Sequence, residues 1–256
     1  MGWRLQDVTE YADLLAAAEG DDFVRWALDP RQSVRGWAFE GGVAFLRAGP
    51  RRTSITLVST PGVAAAALPA LVEQAPDADW ATLPHGTLAL GVADVVDASV
   101  GDDWDWMQAT RPPAPHPRAD EVTDLGHAHG AEVTALLAVA NPRASAAAGS
   151  PHTLTWHGVL GDDGELLACG AHTESVPGVP HLASIATRPD VRGRGYGEAV
   201  TSSLTRAALL GGRPVVTLGM YADNAVARRL YERLGFGGVH RWSSRRLRRP
   251  APTPSP

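Results

Sequence analysis

The sequence predicts an α/β protein built on mixed sheets and divided into two bodies. Segments with strand character alternate with amphipathic helical segments, and turn residues separate them. A proline-rich stretch, residues 111–117, then divides the chain, because four prolines in seven residues favour a stiff extended linker. The predicted bodies are residues 1–115 and 116–248. A second proline-rich stretch, residues 249–256, is predicted to be disordered.

The composition is that of a folded protein in a reducing compartment. Hydrophobic residues make up 44% of the 256 residues and charged residues 20%. No apolar stretch reaches the ~18–20 residues that span a bilayer, and the first residues lack the apolar core of a signal peptide. We therefore expect a cytoplasmic protein that does not bind membranes. The one cysteine, Cys169, lies in an apolar run and is predicted to be a buried small side chain rather than a nucleophile.

The ionisable residues exclude several functions. All 23 basic residues are arginines, which excludes a phosphate loop of the Walker type and a Schiff-base lysine. The nine histidines show no metal-binding spacing, so no metal site is predicted. The formal net charge of −5 argues against a surface built for nucleic acid. One basic cluster leaves nucleic-acid binding as an alternative, although a solvated terminal strand is the favoured interpretation: Arg241, Arg245, Arg246, Arg248 and Arg249.

The first body has a mixed pattern without a catalytic constellation. Residues 34–39 and 43–47 predict a hairpin, and a third strand is predicted over 53–58. Apolar residues at helical spacing predict a helix over about 64–72. Pro69 is expected to kink or split that helix.

The second body alternates strands and helices more regularly. Strands are predicted near residues 121–125, 152–160, 165–173, 181–187, 215–220 and 238–247. Helices are predicted around 133–140 and 200–208, and from Asn224 onward. Gly235 is expected to end the last helix in a left-handed conformation.

One segment of the second body, residues 185–197, has the features of an anion site. A strand ends there, a glycine-rich loop turns, and an amphipathic helix begins. The free N–H groups and the positive end of the helix dipole converge at such a junction and suit a diphosphate. The dinucleotide fingerprint Gly-x-Gly-x-x-Gly does not fit, because its third glycine position holds Glu198 or Val200.

A second segment, residues 224–236, reads Asn-Ala-Val-Ala-Arg-Arg-Leu-Tyr-Glu-Arg-Leu-Gly-Phe. Together the two segments resemble the signature motifs of the GCN5-related N-acetyltransferase (GNAT) superfamily. The first matches its Arg/Gln-x-x-Gly-x-Gly loop through Arg192, Gly195 and Gly197. The resemblance covers about residues 119–248. The first body is similar, in element order alone, to the degenerate N-terminal copy of tandem members. It lacks the glycine loop, so we expect no cofactor there.

The resemblance implies an acyl-CoA-dependent N-acyltransferase fold and a co-substrate, acetyl-CoA or another acyl-CoA, without a metal. The pantetheine arm would pair with the main chain at Ile185, Ala186 and Thr187. Asn224 would hydrogen-bond the pantetheine, and Tyr231 would face the sulfur. The diphosphate would lie against the loop and the start of the helix: Arg192, Gly193, Arg194, Gly195, Tyr196, Gly197 and Glu198.

The implied chemistry is direct attack by a neutral amine on the thioester. Tyr231 would be catalytic by donating a proton to the departing thiolate. The general base stays open, since His172, Glu174 and His181 are candidates without an assignment. The acceptor is expected to be a primary amine of a small molecule or peptide, with the acyl length and the choice between monomer and homodimer left open. A non-catalytic acyl-CoA sensor is the alternative, and a sensor would not need Tyr231.

Overall fold

The computed structural model describes residues 3–48, 52–126 and 128–248, so the predicted disordered tail lies outside the described residues. The helices are α1 Tyr11–Ala17, α2 Asp22–Ala27, α3 Pro61–Gln74, α4 Gly130–Ala140, α5 Tyr196–Leu210 and α6 Ala225–Arg233. The strands are β1 Gln6–Val8, β2 Gly36–Phe39, β3 Gly42–Ala48, β4 Thr53–Ser59, β5 Trp80–Pro84, β6 Val96–Ala109, β7 Val122–Asp124, β8 Thr153–Leu160, β9 Leu166–Val176, β10 Val179–Thr187, β11 Val216–Tyr221 and β12 Gly237–Leu247. Within the described ranges, no helix is long and apolar enough to cross a bilayer.

The described chain forms two compact units. The first contains the residues up to Asp105, together with Tyr221–Asp223 and the described residues from His240 onward. The second contains Trp106–Met220 and Asn224–Val239. The predicted division between residues 115 and 116 stays a prediction about domains, but the compact units depart from it. All of β12 was predicted for the second body, whereas its residues 242–246 pair with β5 in the first unit.

The first unit is a mixed sheet with the strand order β1-β2-β3-β4-β5-β12. Strands β4 and β5 run parallel, whereas β1 with β2, β2 with β3, β3 with β4, and β5 with β12 pair antiparallel. Helix α3 covers one face through an apolar stripe that packs on buried residues of β4 and β5. The predicted split of this helix is wrong. Pro69 lies inside one continuous helix, because the buried face of Ala64, Ala67, Leu68 and Leu71 outweighs the lost hydrogen bond.

The second unit repeats this topology. Its strands follow the order β11-β10-β9-β8-β7, and the end of β6 lies beside β11. Here β10 and β11 form the parallel pair, while β7, β8, β9 and β10 pair antiparallel. Helix α5 packs on one face through Val200 and Leu204, and α4 packs on the other face through Leu136 and Leu137. The predicted strands and helices of this body are confirmed, with small shifts at their ends.

Candidate cofactor site and active site

The junction between β10 and α5 leaves a helix N-terminus open. After β10 ends at Thr187, the chain makes a short turn and passes through two left-handed glycines, Gly193 at φ +78° and Gly195 at φ +87°. Gly195 precedes the first helical residue, and no side chain caps the helix. The first N–H groups of a helix have no acceptor within it, so they stay available to an anion. A Cβ at Gly197 would lie 2.9 Å from the Thr187 hydroxyl, which explains the third glycine.

Side chains from three elements hold this loop in place. Arg192 donates from Nε to the Thr187 carbonyl at 3.2 Å and from a terminal nitrogen to the Ala140 carbonyl at 3.1 Å. Glu198 pairs with Arg233 of α6 at 2.6 Å. This ion pair offsets the one negative charge that the predicted diphosphate site contains.

The parallel strands β10 and β11 separate next to this loop. They pair only at His181 with Thr217 and at Leu182 with Leu218. Beyond these two rungs, the register of β10 against β9 shifts between Ala183 and Ala186. Ser184 takes a left-handed backbone, φ +54°, which is rare for a residue with a side chain. The pairing of β10 with β11 therefore ends where the bulge begins, and the unpaired stretch between the two strands beyond Leu182 is called the gap here.

Two side-chain contacts with the segment after α4 stabilise the bulge. The Ser184 hydroxyl donates to the Ala146 carbonyl at 3.0 Å and accepts from the Ala146 N–H at 2.8 Å. The Asn141 amide donates to the Ile185 carbonyl at 3.3 Å. The carbonyls of Ile185 and Thr187 therefore each already accept one hydrogen bond, and each keeps a second lone pair for a ligand.

Helix α6 carries the two predicted residues of the second segment. Asn224 caps the helix, since its Oδ1 accepts from the Ala227 N–H at 3.0 Å, and its NH₂ group takes no part in the cap. Tyr231 is buried and packs edge-on against Phe236, with ring centroids 5.9 Å apart. Burial raises the pKa of Tyr231 to about 12. Its hydroxyl makes no hydrogen bond within the described chain.

A model of the Acetyltransferase (GNAT) family matches residues 106–236. The chain belongs to this family. Solved GNAT structures share its fold, each at low sequence identity. They include a GCN5-related N-acetyltransferase from Sphaerobacter thermophilus, which is 17% identical with a TM-score of 0.59 over 96% of this chain and 96% of that one. Another, from Kribbella flavida, is 20% identical with a TM-score of 0.53 over 81% of this chain and 91% of that one.

A GNAT-family acetyltransferase from Colwellia psychrerythraea is 14% identical, with a TM-score of 0.52 over 96% of this chain and 100% of that one. No curated protein matches the sequence. Membership of the GNAT family implies acyl transfer from acyl-CoA, and the similar structures extend the fold likeness to nearly the whole chain.

The three candidate bases of this GNAT protein lie on opposite faces of the second sheet. His172 pairs in register with Leu182, whose side chain packs under α5, so His172 faces α5. His181 lies one residue earlier than Leu182 and therefore faces α4. Glu174 is engaged by Arg213 at 3.3 Å and by the Gly178 N–H at 3.1 Å.

His172 and His181 differ in their electrostatic surroundings. Burial holds the pKa of His172 below its ordinary value, against the opposing influence of Glu174, which lies 3.6 Å away. His181 instead contacts Thr217 at the last rungs before the strand gap, with its Nδ1 3.0 Å from the Thr217 hydroxyl. Of the three candidates, His181 is the one that lies beside the gap.

Several residues of this site were missed by the sequence analysis. Asn141 and Ala146 reach β10 from the end of α4, and Arg233 reaches Glu198. Arg118 donates from Nε to the carbonyl of Arg194 in the glycine loop at 3.0 Å. No local pattern marks these residues, since each contact joins segments that are distant in sequence.

Other sequence predictions concern features outside the gap. Cys169 is buried, and burial raises the pKa of its thiol to about 12, as suits an unreactive core residue. Among the described residues, no three potential ligands cluster as a metal would require. In the basic cluster, Arg245 is buried and pairs with Asp103 at 2.8 Å, whereas Arg241, Arg246 and Arg248 are exposed, with Arg248 3.7 Å from Asp97. Arg249 lies outside the described residues.

Proposed function

We propose that this protein transfers an acetyl or other acyl group from acyl-CoA to a primary amine of a small molecule or peptide. The observation that carries the proposal is the open N-terminus of α5 next to the gap between β10 and β11. An elongated thioester with an anionic diphosphate matches both features. The amine attacks the thioester carbonyl directly, and the thiol leaves.

The chain offers a complete set of groups for the co-substrate. The diphosphate accepts hydrogen bonds from the uncapped N–H groups at the start of α5, with Arg192 and Arg194 supplying positive charge. Residues 185–187 present main-chain groups at the gap, where the pantetheine amides extend the sheet as an added strand does. The NH₂ group of Asn224 faces no acceptor in the described chain and is available to the pantetheine.

Tyr231 donates a proton to the departing thiolate in this proposal. Because its pKa is raised to about 12, its hydroxyl stays protonated through the neutral range. The same desolvated surroundings raise the basicity of a thiolate that forms there, which offsets the weaker acidity of the buried tyrosine. Its lack of a hydrogen-bond partner in the described chain leaves that proton available.

His181 is our choice for the general base. The Thr217 hydroxyl donates its single proton to the Pro180 carbonyl at 3.2 Å, so it accepts from the Nδ1–H of His181. In this tautomer Nε2 is the basic nitrogen of the ring, the one that takes up a proton in general base catalysis. His181 faces α4 and Tyr231 lies in the core beneath α5, so acid and base act from opposite faces of the sheet.

The test is a panel of amines with acetyl-CoA, monitored by release of free thiol. The protein adds little background, because its single thiol, Cys169, is buried. Turnover with a primary amine is the expected result. Tight CoA binding without acylation of any amine would favour the sensor instead, and absence of CoA binding would contradict both functions.

A further inference from the structure

The proline-rich segment 111–117, which the sequence predicts as a linker, lies along the surface of α5. Arg206 donates to the Pro113 carbonyl, and the Ser202 hydroxyl donates to the Ala114 carbonyl at 3.4 Å. These contacts follow α5 back from its last turns toward its N-terminus. Residues 110–113 also line a cleft of about 270 Å³ with the end of α6. The segment is therefore a docked part of the second unit.

His116 of this segment reaches the glycine loop. A Cβ placed on Gly195 would lie 3.4 Å from the His116 Cε1 and 3.5 Å from its Nε2. The Nδ1 of His116 accepts the Arg118 N–H at 3.1 Å, so Nδ1 carries no proton. In the neutral ring, the proton is then on Nε2, at the ring edge beside Gly195. Nε2 has no hydrogen-bond partner in the described chain.

Arg118 fixes the geometry of this contact. Its guanidinium lies over the ring of Tyr196, 4.8 Å from the centroid, and donates to the Arg194 carbonyl at 3.0 Å. The same guanidinium is bound by both carboxylate oxygens of Glu121, at 2.8 and 3.0 Å. Glu121 thus largely balances the positive charge of Arg118, and Arg118 acts by holding the backbone at residue 116 against the loop.

We propose that His116 is an additional ligand of the co-substrate, with its Nε2–H donating to the diphosphate that the glycine loop binds. The proposal rests on the proposed function. It extends the diphosphate site beyond the loop and the helix, to a residue that enters from the segment before the β7 strand. The partly buried ring is pre-oriented by the Arg118 N–H, so binding requires little further ordering.

Calorimetry with the full chain tests the proposal in two arms. In the first arm, His116→Ala is expected to bind CoA about tenfold more weakly than the unchanged protein, as loss of one hydrogen bond to a charged group implies. In the second arm, the ligand is pantetheine, which lacks the diphosphate, and the two proteins should bind it equally. His116→Gln keeps an N–H donor and should recover part of the loss. His152→Ala, an exposed histidine of the same unit, is the matched control and should bind like the unchanged protein.

Three outcomes would overturn the proposal: unchanged CoA affinity in His116→Ala, equal weakening of CoA and pantetheine, or no recovery in His116→Gln. A thermal unfolding curve shows whether a weakened variant is folded. The proposed function fails separately. If the unchanged protein binds CoA and acylates no amine, His116 keeps its place in the diphosphate site while acyl transfer is lost.

Discussion

The two units differ at the same strand-to-helix junction, where the helix N-terminus is capped in the first unit and uncapped in the second. In each unit, a helix follows the strand of the parallel pair that comes first in the sequence: α3 follows β4, and α5 follows β10. In the first unit, Thr60 caps α3 by accepting the Val63 N–H at 3.5 Å, and Pro61 at the first helical position has no N–H. In the second unit, Gly195 has no side chain and leaves the corresponding groups unbound. A helix N-terminus attracts an anion only where the sequence leaves its donors unused.

The strands before these helices differ as well. Strand β4 pairs with β3 over seven consecutive rungs without a shift, from Ser59 to Thr53. Strand β10 carries a register shift and a left-handed Ser184, and its parallel pairing stops at Leu182. A bulge and an uncapped glycine are thus both present in one copy of the topology and both absent from the other. The comparison explains why a co-substrate is proposed for the second unit alone.

The largest expected effect comes from blocking the uncapped N-terminus of α5. Gly195→Glu places a side chain at φ +87°, which costs about 1–2 kcal/mol, and puts a carboxylate where a diphosphate is proposed to bind. We expect calorimetry to detect no CoA binding. Gly62→Glu is the matched control at the start of α3, where a Cβ meets no atom within 4 Å, and it should bind CoA normally. Two CoA sites per chain, or normal binding by Gly195→Glu, would contradict the comparison.

Tyr231→Phe should have the next largest effect. The variant keeps the ring and its packing on Phe236 but removes the proposed proton donor. The single-turnover rate with a good acceptor should fall about 10²–10⁴-fold, with CoA affinity nearly unchanged. Tyr11→Phe in the first unit, where the hydroxyl donates to the Arg25 carbonyl, is the control. An unchanged single-turnover rate would mean that Tyr231 contributes only to packing.

His181→Gln tests the base at the rung where the strands begin to separate. Its side chain retains hydrogen-bonding groups but no longer takes up a proton, so kcat/KM should fall about 10²-fold near neutral pH. The deficit should shrink as the pH rises, because more of the amine is already neutral. His172→Gln, on the other face of the sheet, should leave the rate close to that of the unchanged protein. A pH-independent deficit would instead indicate a structural role.

The smallest effect concerns the closed junction of the first unit. Thr60→Ala removes a cap whose hydrogen bond is long, at 3.5 Å, so we expect unfolding to become easier by about 0.5–1 kcal/mol. Chemical denaturation measures this change, and CoA binding should be unaffected. Altered CoA affinity would mean that the two junctions are coupled.

The sequence predicted the features of the site that depend on neighbouring residues. The glycine loop that precedes a helix, the helix that starts at Asn224 and the left-handed Gly235 are local, and the structure confirms each of them. Features that depend on tertiary contacts were missed. The bulge at Ser184 depends on Ala146, and the position of His116 depends on Arg206 and Ser202 in α5. Prolines in the 111–117 segment indicate an extended backbone, but they do not indicate the surface on which it lies.

The position of β12 has a consequence for how the chain folds as it is synthesised. Residues 242–246 pair with β5, so the first unit lacks a strand until these residues have left the ribosome. The second unit ends at Val239 and needs no later residue. The unit that is mostly made second is therefore the one that completes its sheet first, and β5 keeps an unpaired edge until residues 242–246 arrive.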